Sequence, residues 1–256
     1  MYGESVFTTL RMINGHLLDW NYHFDRLKKG VDFVYGPFTG DEEIALLKNR
    51  LESRIFNESG DKVIRLTVYR EQDRGLLPTG LISVNDLKIH LSQTTYDVSR
   101  FEGKMVKLRT CSAPQKPHWW PSFLKAGNYL EIILAQKNFM KPGDDDVLFL
   151  TKHDTVTESS AANIFIIRHN KLYTAPLGPS VLDGVMRRKV IEKASFVFDH
   201  FEESETSLEQ LYKADAVFGT NSVRGPFLVD RIDDHEIFYT KDFLYKFEAL
   251  RQRVFR

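Results

Sequence analysis

The sequence TVTESSAANIF, residues 155–165, is the most specialised part of this 256-residue chain. It sets one acidic residue, Glu158, among small and hydroxyl-bearing residues, and the apolar run IFII follows closely. Taken alone, Glu158 can simply be a carboxylate at the edge of a strand. The chain on both sides of this stretch has to show whether Glu158 has a chemical role.

The patterns around this stretch predict an α+β protein of two domains. A chain of this length suits two domains of ordinary size. The predicted strands and helices occur in clusters rather than in strict alternation, which favours α+β over a doubly wound sheet. The segment TCSAPQKP has two prolines and small polar residues, which is typical of a connection between domains. We therefore predict an N-terminal α+β domain at residues 1–113 and a C-terminal domain at residues 114–256.

In the N-terminal half, SVFTTLRMING alternates as a strand does and ends in the Asn14-Gly15 pair, a strong hairpin signal. The residues after it have an apolar face at helical spacing, formed by Trp20, Phe24, Leu27, Val31 and Val34. A second helix is predicted over DEEIALLKNRLESRIF. Further strands are predicted over KVIRLTVYR, LISVNDLKIHL and KMVKLRTC.

In the C-terminal half, LKAGNYLEIILAQ, residues 124–136, predicts an amphipathic helix with Lys125 on its first turn. Strands are predicted over DDVLFLTKH, AANIFIIRHN, KLYTAP and DAVFGTN. Further helices are predicted over GVMRRKVIEKASF, over SLEQLYKA and at the C-terminus.

The composition excludes several classes of protein. Hydrophobic residues make up 42% of the chain and charged residues 27%, which is typical of a soluble globular protein. The 35 basic and 35 acidic side chains cancel, which argues against nucleic-acid binding. Cys111 is the only cysteine, so an intrachain disulfide and a cysteine-pair zinc site are excluded, and no metal is expected. With no secretory signal and no apolar run of about 18 residues, we expect a cytoplasmic protein without a membrane span.

Four stretches together resemble one family of enzymes: FDRL, FLKAGN, TVTESSAANIF and the pair LDGVMRR and FGTNSVRGP. In this order they are similar to the fold-type IV enzymes that depend on pyridoxal 5'-phosphate (PLP). That family includes branched-chain aminotransferases, D-amino acid aminotransferases and aminodeoxychorismate lyases. The resemblance runs nearly from end to end, and it implies the two-domain fold of the D-amino acid aminotransferases.

The resemblance implies two residues for the reactive end of the cofactor. Lys125 matches the lysine that forms a Schiff base with the cofactor aldehyde and then moves a proton on the substrate. Glu158 matches the carboxylate that pairs with the pyridine nitrogen and keeps it protonated. Without the resemblance, Lys125 can be a surface lysine whose stem covers apolar residues.

Three places match the binding site of the cofactor phosphate in the family. Arg26 matches the phosphate arginine, whose planar fork suits phosphate oxygens, although it can also be a solvated charge on a helix. A helix N-terminus that binds phosphate through backbone N–H groups is implied at Gly184, Val185 and Met186. A second phosphate-binding turn is implied at Thr220 and Asn221.

The N-terminal strand indicates which branch of the family the chain resembles. Many aminotransferases have an acidic residue after the phenylalanine of this strand, where this chain has Thr8 and Thr9. Thr-Thr at this position, together with SSAANIF and GVMR, resembles aminodeoxychorismate lyase, in which the second threonine assists proton transfer. Thr9 is therefore predicted to act on the substrate, while an inward-facing structural threonine is the alternative. Asn128 follows Lys125 at the spacing of the D-amino acid aminotransferase and lyase branches, so Tyr129 need not reach the cofactor as it does in branched-chain enzymes.

The resemblance leaves the substrate site and the reaction open. Arg74 matches the position of a substrate-carboxylate arginine, and Arg70 is the neighbouring candidate; either can be a surface charge. The first-choice reaction converts 4-amino-4-deoxychorismate, a small molecule, into 4-aminobenzoate and pyruvate. The alternative is an aminotransferase acting on branched-chain or D-amino acids. A homodimer is expected from the family, and a nucleic-acid-binding protein that uses KLRTCSAPQKPHWW as a basic, aromatic surface is the competing class.

Overall fold

A computed structural model of the chain describes residues 4–37, 40–53, 60–70, 82–95, 97, 101, 104–112 and 118–255. Helices and sheets occur in both halves, which confirms the predicted α+β class. The chain forms two compact units, one from Met1–Val98 and Phe123–Tyr129, the other from Ser99–Ser122 and Leu130–Arg256. This division differs from the predicted boundary after residue 113, because residues 99–113 belong to the second unit and residues 123–129 to the first.

The described residues of the first unit form a four-stranded antiparallel sheet, two α-helices and a short 3-10 helix over Val84–Asp86. Its strands are β1 (Ser5–Ile13), β2 (His16–Leu17), β3 (Lys62–Arg70) and β4 (Leu87–Thr95), in the order β2-β1-β3-β4. The predicted hairpin joins β1 to β2, and Asn14 and Gly15 both have the positive φ that a type I′ turn requires. The helices are α1 (Trp20–Tyr35) and α2 (Asp41–Glu52).

Helix α1 packs closely on β1. Its buried residues include Phe24, Leu27 and Val31, as the apolar spacing predicts. A Cβ atom on Gly30 would lie 2.6 Å from Cγ1 of Val6, so the helix backbone approaches the strand where only glycine fits. This contact fixes the distance between the residues of β1 and those of α1.

The segment around Lys125 is extended, which makes the predicted first helical turn wrong. The Lys125 carbonyl accepts a hydrogen bond from the Phe7 amide at 2.9 Å, and the Gly127 amide donates to the Ser5 carbonyl at 2.8 Å. Unpaired backbone groups at the edge of β1 give the segment these partners, and Gly127 and Asn128 are weak helix formers.

Helix α3 (Leu130–Phe139) begins five residues after the lysine. It buries Ala135 against β5 and β6, described next, whereas its predicted apolar face is exposed, with Leu130 at 66% and Ile133 at 55%.

The second unit contains a nine-stranded mixed sheet. Its strands are β5 (Val106–Ser112), β6 (Asp146–Leu150), β7 (Val156–Ser159), β8 (Asn163–Arg168), β9 (Lys171–Thr174), β10 (His200–Glu203), β11 (Ala216–Asn221), β12 (Gly225–Ile232) and β13 (His235–Glu236). The order is β10-β9-β8-β11-β12-β5-β6-β7, and β13 pairs with β12. Strand β7 also pairs with β8, which closes a circuit of six paired strands.

Three further helices complete the second unit: α4 (Val185–Ala194), α5 (Leu208–Tyr212) and α6 (Lys241–Val254). Phe165 of β8 and Phe218 of β11 stack with ring centroids 5.0 Å apart, and Val190 of α4 and Phe247 of α6 join them in one apolar cluster. No helix among the described residues is long and apolar enough to cross a membrane.

Candidate active site

In the first unit, the Lys125 side chain lies against two aromatic rings. Its Nζ donates a hydrogen bond to the hydroxyl of Tyr129 at 2.9 Å and lies 4.8 Å from the centroid of the Phe7 ring. The rings of Phe7 and Tyr129 meet edge to face, 5.4 Å apart. The hydrogen bond and the strand-like backbone hold the amine beside the N-terminal part of β1.

Strand alternation gives Thr8 and Thr9 different surroundings. Thr8 is fully buried, whereas Thr9 lies on the opposite face of β1, the face of Phe7. Thr9 is paired across the sheet with Arg65 of β3, whose guanidinium carbon lies 3.7 Å from the Phe7 ring centroid. Lys125 and Arg65 therefore both lie at the Phe7 ring, and Thr9 is on the strand face that carries this ring.

Behind this face, three buried polar side chains meet between β1 and α1. The hydroxyl oxygen of Thr8 lies 2.7 Å from Nδ1 of His23 and accepts a hydrogen bond from Arg26 at 3.1 Å. Arg26 is only 5% exposed, so it is not the solvated helix charge that the sequence left open. A buried arginine carries several N–H donors and is suited to bind an anion.

Of the two arginines predicted to bind the substrate carboxylate, the structure describes only Arg70. Arg74 lies outside the described residues. Arg70 ends β3, with its Nη2 3.6 Å from the carboxylate of Glu4. Tyr35 donates to the Glu4 carbonyl at 2.7 Å, and its burial, with the nearby Glu4 carboxylate, raises the pKa of Tyr35. Arg70 therefore takes part in a polar group at the start of β1.

In the second unit, Glu158 is held where β7 meets β8. One of its oxygens accepts hydrogen bonds from the Leu182 amide at 2.8 Å and from the Asn163 side chain at 3.2 Å. Asn163 also donates to the Leu182 carbonyl at 2.8 Å. The carboxylate is thus oriented by a side chain that the sequence analysis did not single out.

Helix α4 begins beside this group. Gly184 is its N-cap, without a side-chain hydrogen bond to the first turn, and Val185 and Met186 are buried. The first N–H groups of a helix have no partner within it, so they can bind an anion. A Cβ atom on Gly184 would lie 2.2 Å from Oδ1 of Asn163, so the helix start requires glycine.

Strand β11 pairs with β8, the strand of Asn163, and ends with Thr220 and Asn221. Thr220 pairs across the sheet with Asn163 and is 1% exposed. Among the described residues, its hydroxyl is a buried group without a hydrogen-bond partner. The Asn221 side chain instead builds the turn to β12, because its oxygen accepts from the amides of Val223 and Arg224 at 3.0 and 2.9 Å.

The structure therefore gathers the predicted residues in two groups. Lys125, Thr9 and Arg26 belong to the first unit, and Glu158, Gly184 and Thr220 surround Asn163 in the second. Asn163 lies within the quoted motif, but its role depends on strand register. Arg65 also depends on register, through its pairing with Thr9, so one sequence gives no local signal for it.

Comparison with known proteins identifies the family. Residues 5–232 match the family model described as amino-transferase class IV. The chain belongs to this family. Aminodeoxychorismate lyase of Bacillus subtilis (strain 168) is a class IV relative with 30% identity over 87% of this chain and 75% of its own length.

Two further class IV proteins show how broad the similarity is. A D-alanine aminotransferase of Listeria monocytogenes is 26% identical over 85% of this chain and 74% of its own length. The crystal structure of 4-amino-4-deoxychorismate lyase from Pseudomonas aeruginosa has a TM-score of 0.82 and 26% identity, covering 98% of this chain and 91% of its own. Lyases and aminotransferases are therefore similarly related to this chain.

The class IV family is PLP-dependent, and the residues of this chain fit that cofactor. The buried Thr220 hydroxyl that lacks a partner and the N-terminus of α4 are donors suited to a phosphate. Within the first unit, buried Arg26 is a cation with several N–H donors, which also suit an anion. The oriented carboxylate of Glu158 is suited to accept a hydrogen bond from a protonated pyridine nitrogen.

Proposed function

We propose that this chain is a PLP-dependent lyase that converts 4-amino-4-deoxychorismate into 4-aminobenzoate and pyruvate. The ring carbon that bears the amine loses its proton, and the bond between the ring and the enolpyruvyl oxygen breaks. The enolpyruvyl group leaves as pyruvate, and the ring becomes aromatic. The atoms balance without water and without an oxidant or reductant.

The observation that carries this proposal is the face of β1 that bears Phe7 and Thr9. A hydroxyl, an amine and a guanidinium border that face, since Thr9 pairs with Arg65 and Lys125 lies 4.8 Å from the Phe7 ring. Thr8 and Thr9 stand where many aminotransferases have an acidic residue after the phenylalanine of this strand. The 30% identity to an aminodeoxychorismate lyase supports the same choice.

Each residue has a defined task in the proposed reaction. Lys125, held by Tyr129, removes the proton from the amine-bearing carbon, and the Thr9 hydroxyl assists that transfer. The bound cofactor would act as the electron sink that makes this proton acidic. Glu158 would keep the pyridine nitrogen protonated, because Leu182 and Asn163 orient its carboxylate.

The remaining residues bind anionic groups. Arg26, Thr220 and the amides of Val185 and Met186 would hold the phosphate. Arg65 offers a cation to a substrate carboxylate, since its guanidinium lies on the face of Phe7 and Thr9. Arg74 stays a prediction for the same task.

A product assay tests the proposed reaction directly. Purified enzyme loaded with PLP is incubated with 4-amino-4-deoxychorismate, and 4-aminobenzoate and pyruvate are quantified. We expect the two products in equal amounts. An enzyme that forms neither, but exchanges amino groups between branched-chain or D-amino acids and keto acids, is an aminotransferase instead.

We also propose that the protein is cytoplasmic, and that it forms a homodimer as the family resemblance implies. Light scattering during size-exclusion chromatography measures the mass in solution. A mass twice the 29.7 kDa of one chain supports the dimer.

A further inference from the structure

Thr8, His23 and Arg26 form a continuous polar chain inside the first unit. Their exposed fractions are 0%, 1% and 5%. The Thr8 hydroxyl is the central group, 2.7 Å from Nδ1 of His23 and 3.1 Å from a guanidinium nitrogen of Arg26. Among the described residues, these two are the hydrogen-bond partners of that hydroxyl.

Counting protons fixes the direction of the hydrogen bonds. A guanidinium only donates, so the Thr8 oxygen accepts from Arg26, and its single proton needs an acceptor. If Nδ1 of His23 carried a proton, the buried hydroxyl proton would have no acceptor, which is unfavourable. The favoured order is therefore Arg26 to Thr8 to an unprotonated Nδ1 of His23.

The surrounding backbone holds these three groups in place. His23 and Arg26 lie three residues apart on α1, so both side chains point to one side of the helix. Thr8 is on β1, which α1 approaches closely at the contact between Gly30 and Val6. These three polar side chains thus connect β1 and α1 at a fixed separation.

We infer that His23 is a positioning residue that acts through Thr8 to hold the Arg26 guanidinium in the orientation that binds the cofactor phosphate. This inference rests on the proposed phosphate role of Arg26. Holding the guanidinium before the cofactor arrives removes part of the rotamer entropy that Arg26 would otherwise lose on binding. His23 does not touch the phosphate in this arrangement, so its effect depends on Arg26.

Matched substitutions test the acceptor at Nδ1. H23N places an amide oxygen near the position of Nδ1, whereas H23Q places its amide near Nε2, and H23L has no acceptor. T8S keeps the hydroxyl that T8V removes. The apoenzyme variants are titrated with PLP and with pyridoxal, which lacks the phosphate, and the phosphorus-31 resonance of bound PLP is recorded.

We expect H23L, H23Q and T8V to weaken PLP affinity about 5- to 20-fold, as for the loss of one or two buried hydrogen bonds. Their pyridoxal affinity should stay within about twofold of the wild type, because the effect runs through the phosphate. The phosphorus-31 resonance should shift in the same variants. H23N and T8S should keep PLP affinity within about threefold of the wild type.

A double-mutant cycle with R26A separates the possible failures. In the R26A background, H23L should cause no further loss of PLP affinity. If H23L weakens PLP binding equally with and without Arg26, the inference is wrong while the phosphate role of Arg26 stands. If R26A leaves PLP affinity unchanged, the phosphate role fails first, and the product assay still decides the reaction. Should H23L not fold, equal PLP affinities of H23N and H23Q would also overturn the inference.

Discussion

The amine of Lys125 lies where an apolar ring and a phenol hydroxyl confine it. It contacts the Phe7 ring and donates to Tyr129, so its position depends on β1 as well as on its own segment. The proposed reaction requires a side chain at this position that can take up a proton. An arginine would supply a positive charge but could not take up a proton, because a guanidinium is always protonated. The comparison of K125A with K125R isolates this requirement.

We predict that K125A and K125R both abolish product formation, whereas both still bind PLP through its phosphate. Borohydride reduction of the wild-type holoenzyme, followed by peptide mapping, should place the cofactor on Lys125. K28A is a suitable control, since Lys28 pairs with Asp32 on α1 at 2.6 Å and should be dispensable. A cofactor adduct on another lysine would contradict the assignment.

Thr9 provides the sharpest residue-scale test of the proposed reaction. T9V keeps the shape of the side chain and removes the hydroxyl, so we expect the release of 4-aminobenzoate to slow by about a hundredfold. PLP affinity should change little, because Thr9 lies on the opposite face of β1 from Thr8. T9S keeps the hydroxyl and should retain most of the rate. A loss below about threefold in T9V would make the hydroxyl structural.

At the scale of elements, the sequence predicted the strands and turns that are determined by residues close together in the chain. Strand β3 was predicted with the bounds Lys62–Arg70 that the structure has, and the β1–β2 hairpin follows from Asn14-Gly15. Strands β7, β10, β12 and β13 were not predicted. Strand β10 (HFEE) is short and polar and, within the described part of the chain, pairs with β9 alone, so its pattern carries no alternation.

In the candidate site, too, residues within short motifs could be predicted, whereas contacts between distant parts of the chain could not. Lys125, Glu158 and Arg26 were selected from motifs, but the conformation around Lys125 was not predicted, because the edge of β1 supplies its hydrogen-bond partners. Asn163 and Arg65 matter through cross-strand register, which joins residues far apart in the chain.

The start of α4 is a second element-scale feature that can be tested. A methyl group on Gly184 would collide with Asn163, which cannot move without breaking its hydrogen bonds to Glu158 and Leu182. We expect G184A to lower the free energy of unfolding by about 1–3 kcal/mol, as for other overpacked sites, and to weaken PLP affinity. G178A is the matched control, since a Cβ atom there meets nothing within 4 Å. Equal stability of the two variants in urea would rule out the collision.

At the scale of the whole molecule, each of the two units is built from two separate segments of the chain. The chain leaves the first unit after residue 98, returns for residues 123–129 and then completes the second unit. The lysine segment therefore belongs to the unit that holds Arg26 and Thr9, although its nearest neighbours in sequence belong to the other unit. A single boundary drawn from prolines and polar residues cannot represent a segment that returns.

One buried carboxylate, Asp144, contributes to the acid stability of the second unit. The Asp144 side chain is fully buried and accepts hydrogen bonds from Arg109 at 3.0 Å, the Lys141 amide at 2.8 Å and Arg231 at 2.7 Å. Burial acts to raise the pKa of Asp144, but these donors outweigh it and lower the pKa from 3.8 to about 2. Because the folded pKa is lower than the unfolded one, ionised Asp144 stabilises the fold above about pH 4. That contribution, about 2 kcal/mol, is lost as the pH falls towards 2.

We therefore predict that D144N is less stable than the wild type at pH 7 by about 1.5–3 kcal/mol, the range for hydrogen bonds to charged groups. The difference should shrink between pH 4 and pH 2, because the wild type then loses the same charge. Urea unfolding at several pH values measures both effects. D234N is the control, since Asp234 is 87% exposed at 3.7 Å from Arg109 and an exposed ion pair contributes little. A constant difference between D144N and the wild type from pH 7 to pH 2 would show that Asp144 does not titrate with folding, and the acid sensitivity would then arise elsewhere.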